Sequence, residues 1–240
     1  EVNKRLKEID SNRTEFVSIV AHQLRTPLAG IKWTLDMLIN GDIGEMTLEQ
    51  KAQLMKILDT NERIIRFVTD LLSISRIESG RLEYKFTPVN LNQIAESVLL
   101  DIYPISNKKQ ITVNFRAKGI SIPEVAADTD KIMAVFQNVL ENAVKYCPVG
   151  GHVTLDIRNK GSEIQVSVAD DGPGIPKDEQ KNIFKRFYRA PSAVKMQSEG
   201  SGLGLYLAKA IVEGHGGKIW FESEANRGST FYFTVPIPKK

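Results

Sequence analysis

The chain has 240 residues, 42% of them hydrophobic and 25% charged, as is ordinary for a soluble globular protein with one large or two modest domains. Its net charge of +3, with no stripe of lysine and arginine interleaved with aromatic residues, argues against a nucleic-acid partner. A single cysteine excludes an internal disulfide and a cysteine-based zinc site, and no apolar run reaches the length of a membrane span.

The first 80 residues have the apolar spacing of two long helices. Over residues 4–39 apolar side chains recur every third or fourth position, which predicts a helix about 50 Å long. Two glycines follow in 40–47, and Thr47, with Gln50 three residues later, predicts the N-terminal cap of a second helix. Such an all-α hairpin cannot bury its apolar stripes alone, so we expect a homodimer through residues 1–82, a four-helix bundle.

Beyond the hairpin the sequence alternates between strand and helix patterns. Turn residues between the predicted strands indicate a mixed or antiparallel sheet with helices on one face, an α+β arrangement. We therefore expect a second domain over residues 83–240. Its predicted strands cover 110–117, 123–128, 152–158, 163–170, 217–223 and 229–236, and its predicted helices cover 91–103, 129–147 and 203–215.

A long loop over residues 171–202 is rich in glycine, proline, lysine and serine. Within it, "KNIFKRFY" at 181–188 predicts a short helix. Loops of this length inside a domain are usually functional, so we expect a lid over a binding site.

The segment "VSIVAHQLRTPLAG" places a histidine on the polar side of the first helix. At about 100° per residue His22 lies opposite the apolar stripe, and Thr26 shares its face one turn later. Pro27 removes one helical hydrogen bond and loosens the helix beside the histidine. The pattern fits a solvated surface histidine or an imidazole that meets several partners; a metal ligand is the weakest interpretation, because no second ligand stands at helical spacing.

Polar side chains line one flank of the predicted helix 129–147. Asn138 and Asn142 are one turn apart, and Lys145 and Tyr146 follow about one turn later. Amide oxygens and an ammonium in a row could hold a hydrated Mg²⁺ ion and a triphosphate, although an ordinary polar face would look the same.

Three glycine-containing segments follow. In "VADDGPGIP" Asp170 ends a strand, where a carboxylate could accept a hydrogen bond from an exocyclic amine beside glycines that admit a flat base; the same letters are typical of a turn. In "GSGLGL" three glycines open a helix, whose free N–H groups could bind phosphate. In "RGSTFYF" Gly228 and Thr230 stand at the start of the last strand.

Taken in order, these segments resemble the sensor histidine kinases of two-component systems. "FVSIVAHQLRTPLAGI" is similar to the phosphoacceptor box of that family, "QNVLENAVKY" to its asparagine box, "DDGPGIP" to its first glycine box, "IFKRFYRA" to its phenylalanine box and "GSGLGL" to its second glycine box. The resemblance implies a dimerisation and histidine phosphotransfer hairpin, followed by an ATP-binding domain of the Bergerat (GHKL) fold shared with gyrase, Hsp90 and MutL.

The resemblance also implies roles for individual residues. His22 would take the γ-phosphoryl group of ATP and pass it to an aspartate of a separate response regulator. Asn142, assisted by Asn138, would hold Mg²⁺, and Arg189 in the lid would help to neutralise the γ-phosphate. Asp170 would fix the adenine amine. Further contacts to ATP are implied for Lys145, Tyr146, Gly172, Gly174, Ile175, Gly200, Gly202, Leu203, Gly204 and Thr230.

One residue departs from the family pattern. The family usually has a glutamate directly after the histidine, and this chain has Gln23, which can accept a hydrogen bond from the ring but cannot take a proton. Thr26 matches the residue that orients water in kinases that also dephosphorylate their regulator. The alternative is therefore an ATP-binding pseudokinase, or a switch biased toward phosphatase activity. A gyrase-type ATPase is excluded, because its catalytic glutamate is replaced here by Asn138.

The sequence also leads to expectations about what precedes the chain and where it is located. Because the sequence begins at Glu1 without a methionine and already in helical register, we expect a sensor domain upstream of it. We expect a cytoplasmic chain, either free-standing or the cytoplasmic part of a membrane-bound sensor.

Overall fold

The computed structural model describes residues 2–197 and 200–238, and for residues 2–18 it describes the backbone alone. The chain divides into two compact units, with the boundary between Leu82 and Glu83. No helix within the described ranges is both long and apolar enough to cross a membrane.

The first unit is the predicted helical hairpin, formed by α1 (Val2–Asn40) and α2 (Leu48–Glu78). The predicted cap of α2 is confirmed: the Thr47 hydroxyl accepts the Gln50 N–H at 3.2 Å, and the Gln50 side chain accepts the Thr47 N–H at 2.9 Å. These two bonds satisfy two of the backbone groups that a helix start leaves unpaired. These local bonds therefore mark where α2 begins.

The two helices bury only part of their apolar surface on each other. Ala21 of α1 packs with Val68 and Leu72 of α2 in the small core of the hairpin. A second set of apolar side chains is left 38–59% exposed on a single hairpin, and its members are Ile19, Val20, Leu24, Ile31, Met55, Ile57, Ile64 and Phe67. An apolar surface of this kind is typical of an interaction site.

The second unit contains the predicted α+β arrangement, and the fold class is confirmed. Its elements are β1 (Thr87–Val89), α3 (Leu91–Lys108), β2 (Thr112–Phe115), β3 (Val125–Ala127), α4 (Thr129–Tyr146), β4 (His152–Asn159), β5 (Glu163–Asp170), α5 (Lys177–Gln180), α6 (Pro191–Met196), α7 (Gly204–Gly214), β6 (Ile219–Ser223) and β7 (Ser229–Pro236). A five-stranded sheet has the order β2-β4-β5-β7-β6, in which the β2–β4 pair is parallel and the other pairs are antiparallel. A two-stranded sheet joins β1 to β3.

The core of this unit lies between the sheet and the helices α3, α4 and α7. Alternate residues of β5 and β7 are buried, as the period of two in a strand requires when one face of a sheet is covered. The Phe136 ring of α4 meets the Phe233 ring of β7 edge to face at 5.1 Å. The opposite face of the sheet is half-exposed and includes Trp220 stacked on Tyr232.

Local predictions differ from the structure at three places. The helix predicted over 91–103 is longer than expected, because it continues through Pro104 to Lys108. The helix predicted over 181–188 is wrong: these residues form turns, and Phe187 adopts a positive φ of 60° that a helix cannot contain. Short helices instead flank the segment as α5 and α6. Strand β1 was not predicted, because it is only three residues long and contains Pro88.

Candidate functional site

Helix α4 supplies one wall of the candidate site. Asp128 caps its first turn by accepting the Lys131 N–H at 3.2 Å, and the apolar stripe from Ile132 to Val144 faces the core. Because that stripe takes the inner side of the helix, the predicted polar residues stay half-buried on its flank. They are Asn138, Asn142, Lys145 and Tyr146.

The start of α7 lies directly against this flank. The Asn138 amide nitrogen donates to the Ala134 carbonyl at 2.9 Å, which leaves the amide oxygen directed at Gly204. A Cβ atom on Gly204 would overlap that oxygen, so a larger residue here would displace the Asn138 amide. The first N–H groups of α7 therefore lie beside the amides of α4, where a helix start favours anions.

Two cationic side chains converge on Gly200. A Cβ atom at this glycine would lie 2.9 Å from Lys145 Nζ and 3.5 Å from Arg189 Nε. The Lys145 ammonium lies 5.4 Å from the centre of the Tyr146 ring, and Arg189 also forms a hydrogen bond with the Tyr146 side chain. Burial raises the pKa of Tyr146, so its hydroxyl stays protonated. Two cationic side chains thus lie beside the backbone of Gly200.

Contacts around α6 hold Arg189 in this position. The Arg189 guanidinium donates to the Gln197 carbonyl beyond α6, and the Ser192 hydroxyl and N–H, at the start of α6, both donate to the Glu179 carboxylate. Gly202 has a φ of 69°, and a Cβ there would lie 2.8 Å from the Phe187 carbonyl carbon. The glycine therefore lets the second glycine segment pack against the turn that precedes Arg189.

Asp170 is the last residue of β5. Its side chain accepts the Gly172 N–H at 2.8 Å, and a backbone hydrogen bond from Ser229 also stabilises the carboxylate. Burial nevertheless outweighs these bonds and raises the pKa of Asp170 to about 6. At pH 7 the group is mostly an ionised, half-buried carboxylate, which is a strong and specific hydrogen-bond acceptor.

The first glycine segment is held between α4 and the turn before β7. A Cβ on Gly172 would lie 2.5 Å from Asp170 Oδ1 and 3.2 Å from the Tyr146 carbonyl oxygen, while one on Gly174, whose φ is 66°, would overlap the Glu224 carbonyl. The Ile175 N–H donates to the Ser223 hydroxyl at 2.8 Å. We call the backbone of residues 172–175 the backbone shelf. These contacts fix the shelf next to the Asp170 carboxylate.

The structure does not bring the predicted Thr230 to this site. In the β5–β7 register Asp170 pairs with Ser229, whereas Thr230 pairs with Ala169 and shares the half-exposed face of the sheet with Tyr232. Ser229, 8% exposed, instead lies on the face of Asp170, with its hydroxyl 2.9 Å from that of Ser223. Counting back from the buried Phe231 at a period of two would have identified Ser229.

Leu203 is a core residue and does not line the site with its side chain. It is fully buried, and its N–H is already donated to the Ser201 hydroxyl at 3.3 Å. The glycines on either side of it, Gly202 and Gly204, make the close backbone approaches described above.

In the first unit, His22, Gln23 and Thr26 are all exposed on α1. Ala21, which precedes the histidine, is buried against α2 and so orients His22 toward solvent. Thr26 follows one turn later on the same face, beside Pro27. The imidazole is therefore accessible to a reaction partner, and a threonine hydroxyl lies close to it along the helix.

Comparison with known families agrees with this division of the chain. The family model described as "Histidine kinase-, DNA gyrase B-, and HSP90-like ATPase" matches residues 127–239. The model described as "His Kinase A (phospho-acceptor) domain" matches residues 12–80. The fold of the second unit is thus that of the histidine kinase, gyrase and HSP90 class of ATPases.

Individual relatives define the family more closely. The sensor histidine kinase WalK of Bacillus subtilis is 35% identical over 238 residues, which are 98% of this chain and 38% of WalK. The adaptive-response sensory kinase SasA of Synechococcus sp. (strain JA-3-3Ab) is 34% identical over 235 residues, 97% of this chain and 61% of SasA. The chain thus spans less than two thirds of the length of either relative.

Solved structures show the same likeness. Full-length ShkA in complex with AMPPNP has a TM-score of 0.75 at 26% identity, covering 94% of this chain and 46% of ShkA. The catalytic domain of the histidine kinase ThkA has a TM-score of 0.55 at 30% identity, covering 63% of this chain and 95% of that domain. The chain belongs to the sensor histidine kinase family.

Proposed function

We propose that this chain is a protein-histidine kinase that phosphorylates itself on His22 from ATP and passes the phosphoryl group to an aspartate of a response regulator. The observation that carries the proposal is the convergence of Lys145 and Arg189 on Gly200, beside the amide flank of α4. Phosphoryl transfer needs mainly positioning and charge neutralisation, which this set of groups supplies. An exposed His22 provides the acceptor.

The two ends of the site fit the two ends of ATP. The Asp170 carboxylate would accept from the adenine amine, and the backbone shelf from Gly172 through Gly174 to Ile175 would face the flat base. Lys145, Arg189 and the glycines at the start of α7 would surround the phosphates, with Tyr146 between the two regions.

Magnesium fits the donor set of α4. Asn142, assisted by Asn138, would offer neutral amide oxygens, and Mg²⁺ prefers oxygen ligands and completes its shell with phosphate oxygens and water. When bound, the ion would neutralise charge on the phosphates. The orientation of the Asn138 amide, with its oxygen toward Gly204, suits this role.

The proposed reaction is an in-line displacement at phosphorus. A ring nitrogen of His22 attacks the γ-phosphorus, an N–P bond forms, and ADP leaves with the electrons of the broken P–O bond. The proton on the other ring nitrogen is then lost to water, since His22 is exposed. Gln23, the next residue on α1, would accept a hydrogen bond from that nitrogen without taking the proton. An aspartate carboxylate of the regulator would later attack the phosphohistidine and release His22.

The exposed apolar residues of the hairpin support a homodimer. Val20, Leu24 and Ile31 of α1, and Ile57 and Ile64 of α2, are too exposed in a single hairpin to stabilise it. Pairing of two hairpins through these residues would bury them in a four-helix bundle. A receiver domain is the second partner that the reaction requires.

Labelling with [γ-³²P]ATP and Mg²⁺ tests the proposed reaction. We expect the chain to acquire a base-stable, acid-labile label that the His22→Ala variant lacks. His152→Gln is the matched control, because His152 is also exposed but pairs with Asp171 in the second unit, and this variant should label normally. Label retained by His22→Ala, or an acid-stable label, would show that His22 is not the acceptor.

A pair of substitutions in β7 tests which residue supports the adenine end. Ser229→Ala should weaken AMPPNP binding by roughly 3- to 10-fold, because it removes a hydroxyl from the network that holds Ser223 and hence Ile175, and one such bond is worth about 0.5–1.5 kcal/mol. Thr230→Val, on the other face of the sheet, should bind within about twofold of the wild type. Calorimetric titration measures both, and the reverse order would restore Thr230 to the site.

A further inference from the structure

His215 is a buried histidine that the proposed reaction does not use. It directly follows α7, is 7% exposed, and has both ring nitrogens engaged. Nδ1 lies 2.8 Å from the Ile211 carbonyl, and Nε2 accepts the Asp128 N–H at 3.0 Å. Because a carbonyl only accepts and an amide N–H only donates, the ring is the neutral tautomer protonated on Nδ1. The imidazole therefore bridges the end of α7 to the cap of α4.

The first residues of the second unit pack against the His215 ring. We call residues 83–87 the joining segment, since they follow the boundary with the helical hairpin. The rings of Tyr84 and Phe86 lie 4.9 Å and 5.2 Å from the His215 ring, both edge to face. A Cβ on Gly214 would overlap the Tyr84 hydroxyl, so the segment lies directly on the last turn of α7.

Asp128 joins the same contacts. Its carboxylate accepts the Lys85 N–H at 2.9 Å and the Lys131 ammonium at 2.8 Å, while its own N–H is the donor to His215. The Lys131 ammonium also lies 5.4 Å from the centre of the Tyr84 ring. Asp128 thus caps α4, holds the joining segment and forms a hydrogen bond with His215.

The two helices that meet at His215 are the ones that carry the candidate nucleotide residues. Helix α7 runs from Gly204 to Gly214, about 16 Å at 1.5 Å per residue, and its other end is the glycine that packs against Asn138. Helix α4 runs from its cap at Asp128 toward Asn138 and Asn142. The pair is therefore fixed at two places, the phosphate-binding end and the His215 end.

We propose that His215 couples nucleotide binding to docking of the joining segment, acting as a positioning residue and not as a catalytic one. The inference rests on the proposed function. A nucleotide that holds the start of α7 against α4 also keeps Ile211 and Asp128 at the distance that the His215 ring spans. The bound nucleotide thereby stabilises the surface on which Tyr84 and Phe86 pack. Because coupling is reciprocal, docking of the segment strengthens nucleotide binding by the same factor.

Amide hydrogen exchange in the intact chain tests the coupling without any substitution. We expect saturating AMPPNP and Mg²⁺ to slow exchange of the Lys85 amide, which is bonded to Asp128, by about 5-fold or more. AMPPNP binding with unchanged exchange at Lys85 would overturn this inference alone. Failure of the chain to bind AMPPNP at all would overturn the proposed function and this inference with it.

Substitutions of Tyr84 test the reciprocal effect. Tyr84→Ala should weaken AMPPNP binding about 5-fold, although Tyr84 packs on the end of α7 that lies away from the proposed phosphate site. Tyr84→Phe keeps the ring on His215 and loses only the hydroxyl, whose contact with the Ala210 carbonyl is long at 3.5 Å, so it should bind like the wild type. Tyr103→Ala, an exposed aromatic residue of α3, is the control. A lower melting temperature for Tyr84→Ala with unchanged affinity would reduce Tyr84 to a structural role and overturn the coupling.

Discussion

Changing Asp170 to asparagine is expected to weaken ATP binding roughly 100-fold while making the protein more stable at pH 7.5. The Gly172 N–H needs an acceptor, so the new amide would direct its oxygen there and its NH₂ group toward the adenine amine. A hydrogen bond to a charged group, worth about 1.5–3 kcal/mol, would thus be replaced by two donors that face each other. Because about 1.4 kcal/mol corresponds to a tenfold change in affinity, the loss is roughly 100-fold. Calorimetric titration with AMPPNP measures the loss.

The stability gain follows from the direction of the pKa shift. Burial raises the pKa of Asp170 to about 6 in the folded state, above its ordinary value of 3.8. The stabilisation from the protonated form is thus fully present below pH 3.8 and is lost as the pH rises through about 6. At pH 7.5 the ionised, half-buried carboxylate destabilises the fold by no more than about 3 kcal/mol, since one pKa unit corresponds to 1.36 kcal/mol. The Asp170→Asn variant carries no charge at this position, so that cost is removed.

Thermal unfolding provides the check and its control. The asparagine variant should melt several degrees higher than the wild type at pH 7.5, and the difference should shrink toward pH 4. Asp171→Asn is the matched control: its carboxylate is exposed and pairs with His152, so this variant should keep its AMPPNP affinity and gain no stability. A variant at Asp170 that binds within threefold of the wild type would refute the proposed contact with adenine.

The parts of the fold that could be predicted are those decided by neighbouring residues. The capping bonds between Thr47 and Gln50 are complete within four residues, and the sequence predicts them correctly. The segment 181–188 is different. Ile183, Phe184 and Phe187 have helical spacing, yet Gly202, far along the chain, packs on the Phe187 backbone, which has a positive φ. A non-local contact of this kind overrides the local pattern.

The candidate site shows the same limit. The polar flank of α4 could be predicted from helical period alone, and the structure leaves it half-buried beside α7. The strand pattern of β7 could also be predicted. Which residue of β7 shares the sheet face of Asp170 depends on the register between β5 and β7, because a slip of one residue moves a side chain to the other face. The family resemblance implies roles for Lys145, Arg189 and Gly200, but how closely the two cations approach this glycine depends on the packing of α4 against the loop of residues 171–202, which only the folded chain reveals.

Gln23→Glu is the other substitution with a large expected effect, and it should accelerate autophosphorylation of His22 by about 100-fold. When the imidazole attacks phosphorus, its second ring nitrogen becomes acidic, and a neighbouring carboxylate could take that proton whereas an amide cannot. General-base assistance is typically worth about 10²–10⁴ in rate, and the exposure of both residues places the gain at the lower end of this range. The initial rate of label incorporation at saturating ATP measures it.

The same substitution separates a slow kinase from a switch biased toward phosphatase activity. Gln53→Glu on α2 adds the same charge at another exposed glutamine, so it should leave the rate unchanged. If Gln23 only slows the transfer, the glutamate variant should gain autophosphorylation and still remove phosphate from a phosphorylated regulator through Thr26, because a hydroxyl can orient water without ionising. If Gln23→Glu labels no faster than the wild type, proton removal does not limit the rate, and the hypothesis that Gln23 slows autophosphorylation is refuted.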